Sequence, residues 1–339
     1  MSERDWVHSR RIRRTQGSAG RSKKSDVSHT GFPAILFFVL ISALFSHSAH
    51  GQSFASSNAQ FGRDPRTLVQ QMVNNELNAQ KGDHTRWRFR DNKLDDDGPE
   101  HLMEIVQTKD GDIHRVLALD DQPLNAKQEE AEDARIRTLV ADPDRMQQLQ
   151  KQRHQDGEHE RRLLAMLPDA FHYEYAGTED GVIKVKFTPN EGFHASQREE
   201  YVFYHMEGVL CINAQQERLV EISGHLTSEV KFGGGFLGHL DPGGTFLVKQ
   251  QDVGEGHWEV TQLDVHMNGR ILFFKSINVK QREVRSNFQP TSTDLTLHQG
   301  AELLERDATA FAKDGPIQKP RAAKAATRAT ASNTHNPKP

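Results

Sequence analysis

Val182-Ile183-Lys184-Val185-Lys186-Phe187-Thr188 alternates apolar and polar side chains. A period of two belongs to a strand with one buried and one wet face. Asp180-Gly181 stands directly before it and turns it back onto the apolar segment that starts at Phe171; an Asp-Gly between two such runs is a strong hairpin signal. Downstream the pattern repeats. Strands are predicted over 171–177, 182–188, 200–212, 218–230, 245–252, 257–267 and 270–285, with turns at Asp180-Gly181, Asn213 to Glu217, Gly254-Glu255-Gly256 and Asn268-Gly269. Asn268-Gly269 is the clearest of these, because a type I′ turn needs positive φ at both central residues.

Upstream, Trp87 and Phe89 alternate with Arg86, Arg88 and Arg90, and the runs 101–107 and 113–119 flank Lys109-Asp110-Gly111-Asp112 as a second hairpin. Ahead of them, Asp64-Pro65 followed by Leu68, Val69, Met72, Val73 and Leu77 has the cap, first-turn proline and spacing of an amphipathic helix. From Asn125 to about Leu167 the chain is dense in Glu, Gln and Arg. Ile136, Leu139 and Val140 share a stripe there, Asp142-Pro143 punctuates it, and Met146, Leu149, Leu163, Leu164 and Leu167 carry it on. The expected fold is a single α+β domain over 62–311 with a helical insert at 125–167. Its sheet is strongly curved and antiparallel, or an unclosed β-barrel, of about ten strands, with helices over the concave side.

Of the 339 residues, 35% are hydrophobic and 27% charged. The first 51 residues hold eight Lys and Arg against three acids, and residues 313–339 six against one, which leaves the body with 29 basic and 43 acidic residues. Such a body repels nucleic acid, since phosphate binding draws on clustered Lys and Arg. Residues 32–45 are uncharged and apolar behind Arg10, Arg11, Arg13, Arg14, Arg21, Lys23 and Lys24. As a helix they span about 21 Å, short of the roughly 30 Å hydrocarbon core. With Ala49-His50-Gly51 after them, they read as a cleaved secretory signal rather than a retained anchor, which places the mature protein in the periplasm. The basic leader is long for a signal, and a start codon assigned too far upstream is one explanation. Residues 52–61 read as flexible and 312–339 as a disordered tail.

The chemistry-bearing residue types form no catalytic pattern. Cys211 is the single cysteine, so neither a disulfide within the chain nor a cysteine zinc site is available, and it reads as a buried apolar filler between Leu210 and Ile212. His154 and His159 are five apart, not the four of a zinc-protease helix. Asp95-Asp96-Asp97 and Glu129-Glu130 read as solvated, and no Gly-x-Ser-x-Gly occurs. No catalytic residue, metal or cofactor is expected. Lys231 to Phe246 is glycine-rich but lacks the ending of a phosphate-binding loop, and its other content is Phe232, Phe236, Leu237, Leu240 and Phe246. These five are the candidate ligand-binding residues. The loop is either a flap closing the core or a surface for an apolar ligand or partner.

Several stretches carry a family likeness: Leu68-Val69-Gln70-Gln71-Met72-Val73-Asn74-Asn75-Glu76-Leu77, Phe187-Thr188-Pro189 with Gly192-Phe193, and His205-Met206-Glu207-Gly208-Val209-Leu210-Cys211-Ile212-Asn213. To these are added Lys231-Phe232-Gly233-Gly234-Gly235-Phe236-Leu237 and Asn268-Gly269-Arg270 running into Phe273-Phe274-Lys275-Ser276. Over about 64–288 the chain resembles the outer-membrane lipoprotein-sorting proteins of LolA/LolB type, and in particular their longer exported relatives. The resemblance implies an unclosed β-barrel around an apolar cavity for acyl chains. The functional expectation is a non-enzymatic periplasmic carrier or binding protein for a lipid or lipidated protein. The alternative is a structural or interaction protein of the cell envelope, with an envelope protein partner and a self-filled core. A cavity on the order of 300 Å³ separates the two.

Overall fold

Asp64 starts the first helix by accepting the Thr67 backbone N–H at 3.1 Å, with Pro65 in the first turn, where its missing N–H goes unnoticed. The structure is a computed structural model and describes residues 62–82, 85–95, 98–271 and 275–314. The leader, apolar run and cleavage position, the segment 52–61 and the tail beyond 314 lie outside the described residues. All described residues belong to one compact unit.

Helix α1 (Pro65–Gly82) precedes a meander of β1 (Arg86–Asp95), β2 (His101–Thr108), β3 (Gly111–Leu119) and the short β4 (Gln122–Pro123). The expected insert is two helices, α2 (Ala126–Val140) and α3 (Pro143–Ala170). Asn125 and Gln128 form a reciprocal capping box on α2, and the Asp142 carboxylate accepts the Arg145 N–H to start α3. Then follow β5 (Phe171–Glu179), β6 (Val182–Pro189), a 3-10 helix (Arg198–His205), β7 (Met206–Asn213) and β8 (Leu219–Leu226). Short β9 (Val230–Phe232) and β10 (Gly238–Leu240) precede the long β11 (Thr245–Gly254), β12 (His257–Ile271) and β13 (Lys275–Thr291), and α4 (Leu297–Asp314) ends the described chain.

The fold is α+β. Its antiparallel sheet has the order β4-β3-β2-β1-β13-β12-β11-β8-β7-β6-β5 and is not closed. The long β13 returns to β1, pairing Asp91 with Arg285, and so joins the first meander to the second. Phe246 and Val248 on β11 pair with Val265 and Leu263 on β12, which pair in turn with Gln281 and Glu283 on β13. Directly paired antiparallel residues share a face, here termed the inner face. Leu68, Val69, Met72 and Val73 of α1 and Leu163, Leu164 and Leu167 of α3 pack on its apolar part in the main core.

Not all helices lie on that side. Val106 and Ile113 point to the opposite face, where Ile136 of α2, Met146 of α3 and Leu297 and Leu304 of α4 bury them in a second core. Arg88 on that face donates to Asp307 of α4 at 2.5 Å. Helix α3 thus begins in one core and ends in the other.

Several expectations need correction. Residues 200–205 are not strand: Ser196 and Gln197 donate their backbone N–H groups to the buried Glu200 carboxylate and hold a 3-10 turn. The expected strand 218–230 is broken between Leu226 and Val230, where Thr227 N–H turns to the His205 carbonyl at 2.8 Å. Asn268-Gly269 is not the turn. Both lie inside β12, paired with Asn278 and Ile277, because Gly269 also faces β10, where a Cβ would stand 2.2 Å from the His239 carbonyl oxygen. Close backbone approach, not positive φ, is what this glycine supplies. Cys211 is half-buried on the outer face, since its neighbours Leu210 and Ile212 take the core side of an alternating strand. Residues 312–314, expected in the tail, belong to α4, which runs to Asp314.

Candidate functional site

Four strands build the floor of the candidate site. Phe187 on β6 pairs with Gly208 on β7, Gly208 with Gly224 on β8, and Gly224 with Phe246 on β11. The row across the inner face therefore reads Phe-Gly-Gly-Phe, and the two rings fold inward over bare backbone. A Cβ on Gly208 would stand 2.9 Å from Phe187 Cζ and 2.0 Å from the Ser223 carbonyl oxygen; one on Gly224 would stand 2.7 Å from Phe246 Cζ. The two rings, together with Met206, Leu210, Leu219, Ile222 and Val248, form the apolar floor, with Phe171 and Tyr173 bordering it on the β5 side.

Helix α3 is the roof, with Leu163, Leu164 and Leu167 facing the floor. Its C-terminal carbonyls, which a helix end leaves without internal partners, are tied down in turn. The Tyr173 hydroxyl donates to Leu167, Arg66 Nε to Pro168 at 2.9 Å, Asn190 Nδ2 to Asp169 at 2.8 Å, and Asn190 N–H to Ala170 at 3.0 Å. The roof is pinned where it joins β5, while its middle holds the sheet by side chains alone. Between roof and floor lies a cavity of about 40 Å³, room for about three waters.

One carboxyl borders this apolar space. Glu160 sits one turn before Leu163 and Leu164, is 9% exposed, and makes no ion pair among the described residues. Its sequence neighbours are engaged elsewhere: Arg161 with Glu158, and Arg162 with His159 Nδ1 at 2.9 Å and Glu200 at 3.8 Å. Burial pushes the Glu160 carboxyl up to about 8; Asp156 adds to the rise and Arg161 opposes it. Burial likewise pushes the Tyr173 phenol above its usual range.

Toward β13 and β1 the inner face turns polar. Arg285 Nη2 donates to Glu283 at 2.8 Å, and Lys93 Nζ lies 3.4 Å from the same carboxylate. Burial pushes Glu283 up, but Arg285 and Lys93 outweigh it and hold it below the ordinary value. Burial dominates at Asp91, which rises to about 7 despite Arg285. This network ties β13 to β1, and none of its residues lines the cavity under α3, so it reads as structural.

The five residues singled out from the glycine-rich loop separate. Phe246 lines the cavity, and Phe232 and Leu240 are buried in the main core without lining it. Phe236 is 72% exposed and Leu237 37%, carried outward on Gly233, Gly234 and Gly235 at positive φ. Sequence reasoning missed Glu160, although an acid one turn ahead of Leu163 and Leu164 on an apolar stripe was a signal.

No protein-family model, curated protein or solved structure matches the chain. Among the described residues, no helix is long and apolar enough to cross a membrane, and no group of three or more His, Cys, Asp or Glu is placed to hold a metal ion.

Proposed function

We propose that the protein is a non-enzymatic envelope carrier or binding protein for a lipid or lipidated protein, whose acyl chain lodges between α3 and this apolar floor. The observation that carries this reading is the cavity itself, an apolar gap between Leu163, Leu164 and Leu167 of α3 and a floor where Phe187 and Phe246 lie over the bare backbone of Gly208 and Gly224. The sequence resemblance to the LolA/LolB type supports it independently. At about 40 Å³ against the roughly 300 Å³ of an ordinary ligand pocket, the site is too small for an acyl chain, so loading requires the middle of α3 to lift. Each ligand methylene that leaves water contributes about 0.8 kcal/mol, which offsets the apolar surface of α3 uncovered by the lift.

The second reading is a structural or interaction protein of the envelope that keeps this core permanently filled. The small cavity favours it, and so does the exposed pair Phe236 and Leu237, which would then meet a protein partner. Native mass spectrometry of protein recovered from its own envelope, with titration by a fluorescent fatty acid, separates the two. Retained lipid and saturable uptake are expected. A ligand-free spectrum together with no uptake refutes the carrier and leaves the filled core.

A further inference from the structure

Glu160 is a carboxyl at one end of an otherwise apolar wall, and the adjacent Arg161 and Arg162 hydrogen-bond to Glu158 and His159. The other polar group lining the cavity, the Tyr173 hydroxyl, already donates to the Leu167 carbonyl. Other buried acids of the molecule are held differently: Glu76 by Arg218, and Glu200 by Ser196 and Gln197. The Glu160 carboxyl has no such partners among the described residues and stands at the edge of the apolar space, where a ligand's polar end would meet it.

We propose that Glu160 is the head-group contact of the site, and that the ligand is an acyl amphiphile ending in a carboxyl or ester group. This rests on the carrier reading above. The chain lies under Leu163, Leu164 and Leu167, and the head stops where the stripe turns polar. Protonated, the Glu160 carboxyl donates its O–H to a ligand oxygen; ionised, it repels a ligand carboxylate. The charged groups nearest it are Asp156 and Arg161 of α3. The wall contributed by β5, β6, β7, β8 and β11 presents Tyr173 as its sole titratable residue. Since burial holds Glu160 protonated up to about pH 8, the contact forms at neutral pH and is lost in alkali.

The test uses the full-length mature protein and three probes of equal chain length: a fatty acid, its methyl ester and the corresponding alkane. Wild type is expected to prefer acid and ester over alkane, and its affinity for the acid to fall about tenfold or more between pH 7 and pH 9 as Glu160 ionises. Glu160→Gln keeps a donor that does not titrate, so it should retain the preference and lose the pH dependence. Glu160→Leu should bind the alkane but no longer discriminate, and melting curves confirm that both variants fold. If Glu160→Leu discriminates as wild type does, with the same pH profile, the head-group role is overturned while the carrier reading stands. If wild type takes up none of the three, both fall together.

Discussion

Removing one member of the Glu76–Arg218 pair should unseat α1 from the sheet. Both side chains are about 2% exposed. Arg218 donates from Nε at 2.8 Å and from Nη2 at 3.0 Å to the two carboxylate oxygens, and the Leu219 backbone N–H adds a third bond to Oε1 at 2.9 Å. Leaving one charge of such a pair buried alone costs about 3–5 kcal/mol. Glu76→Leu also deprives Leu219 N–H of its acceptor, adding about 1–3 kcal/mol. Arg218→Met is expected to cost about 3–5 kcal/mol and Glu76→Leu somewhat more. The double variant should cost at least about 2 kcal/mol less than the sum of the singles, since neither charge is then stranded. Urea unfolding followed by fluorescence suits the measurement, because the Arg218 guanidinium lies 5.8 Å from the Trp258 ring centre and the tryptophan reports on the site directly. Single variants that each cost under about 1 kcal/mol and add without coupling would show that α1 is held by its apolar face of Leu68, Val69, Met72 and Val73 alone, and would refute this account.

Glu160 makes stability fall with pH: its carboxyl titrates at 4.5 in the unfolded chain and at about 8 when folded. Its contribution is fully present below the lower value and lost as pH rises through the upper one, by up to about 1.4 kcal/mol per unit. Glu160→Gln should therefore gain on wild type across this window in urea titrations, and parallel pH profiles would exclude the burial argument. Phe246→Ala should cost about 3–5 kcal/mol while Phe236→Ala stays within about 0.5 kcal/mol; equal losses in thermal melts would contradict the placement of the two rings. Gly224→Ala should cost about 1–3 kcal/mol, because its Cβ would stand 2.5 Å from the Glu207 carbonyl oxygen. A neutral result there would mean that the floor is looser than drawn.

Period-two alternation gave β6 almost to the residue, and Asp64-Pro65 gave the start of α1, because both depend on neighbours within one element. Helix α4 escaped notice because its stripe of Leu297, Leu304 and Phe311 is diluted by Gly300, Ala301 and Ala308 between the anchors. Asn268-Gly269 misled for a different reason: the same dipeptide serves a turn or a close strand approach, and only the presence of β10 decides. A cavity was expected from the resemblance alone, and the residues that line it were not legible apart from Phe246. Gly208 and Gly224 are ordinary strand glycines until the β7–β8 register sets them opposite each other and the flanking strands supply Phe187 and Phe246. Among the five residues chosen from the glycine-rich loop, composition could not tell an anchor such as Phe246 from an outward-facing Phe236, since burial there is decided by which side of the sheet the backbone presents.

A sheet that stops short of closing leaves two free borders, and unpaired backbone along a border is a template for a neighbouring molecule's strand. Here β4 is two residues long and ends in Pro123, which has no N–H to offer. At the opposite border, β5 bulges between Tyr175 and Gly177, and Glu174 and Glu179 flank the bulge with negative charge. A second copy arriving at either border meets too short or too irregular a rail to extend, so an unclosed sheet here does not invite edge-to-edge polymerisation.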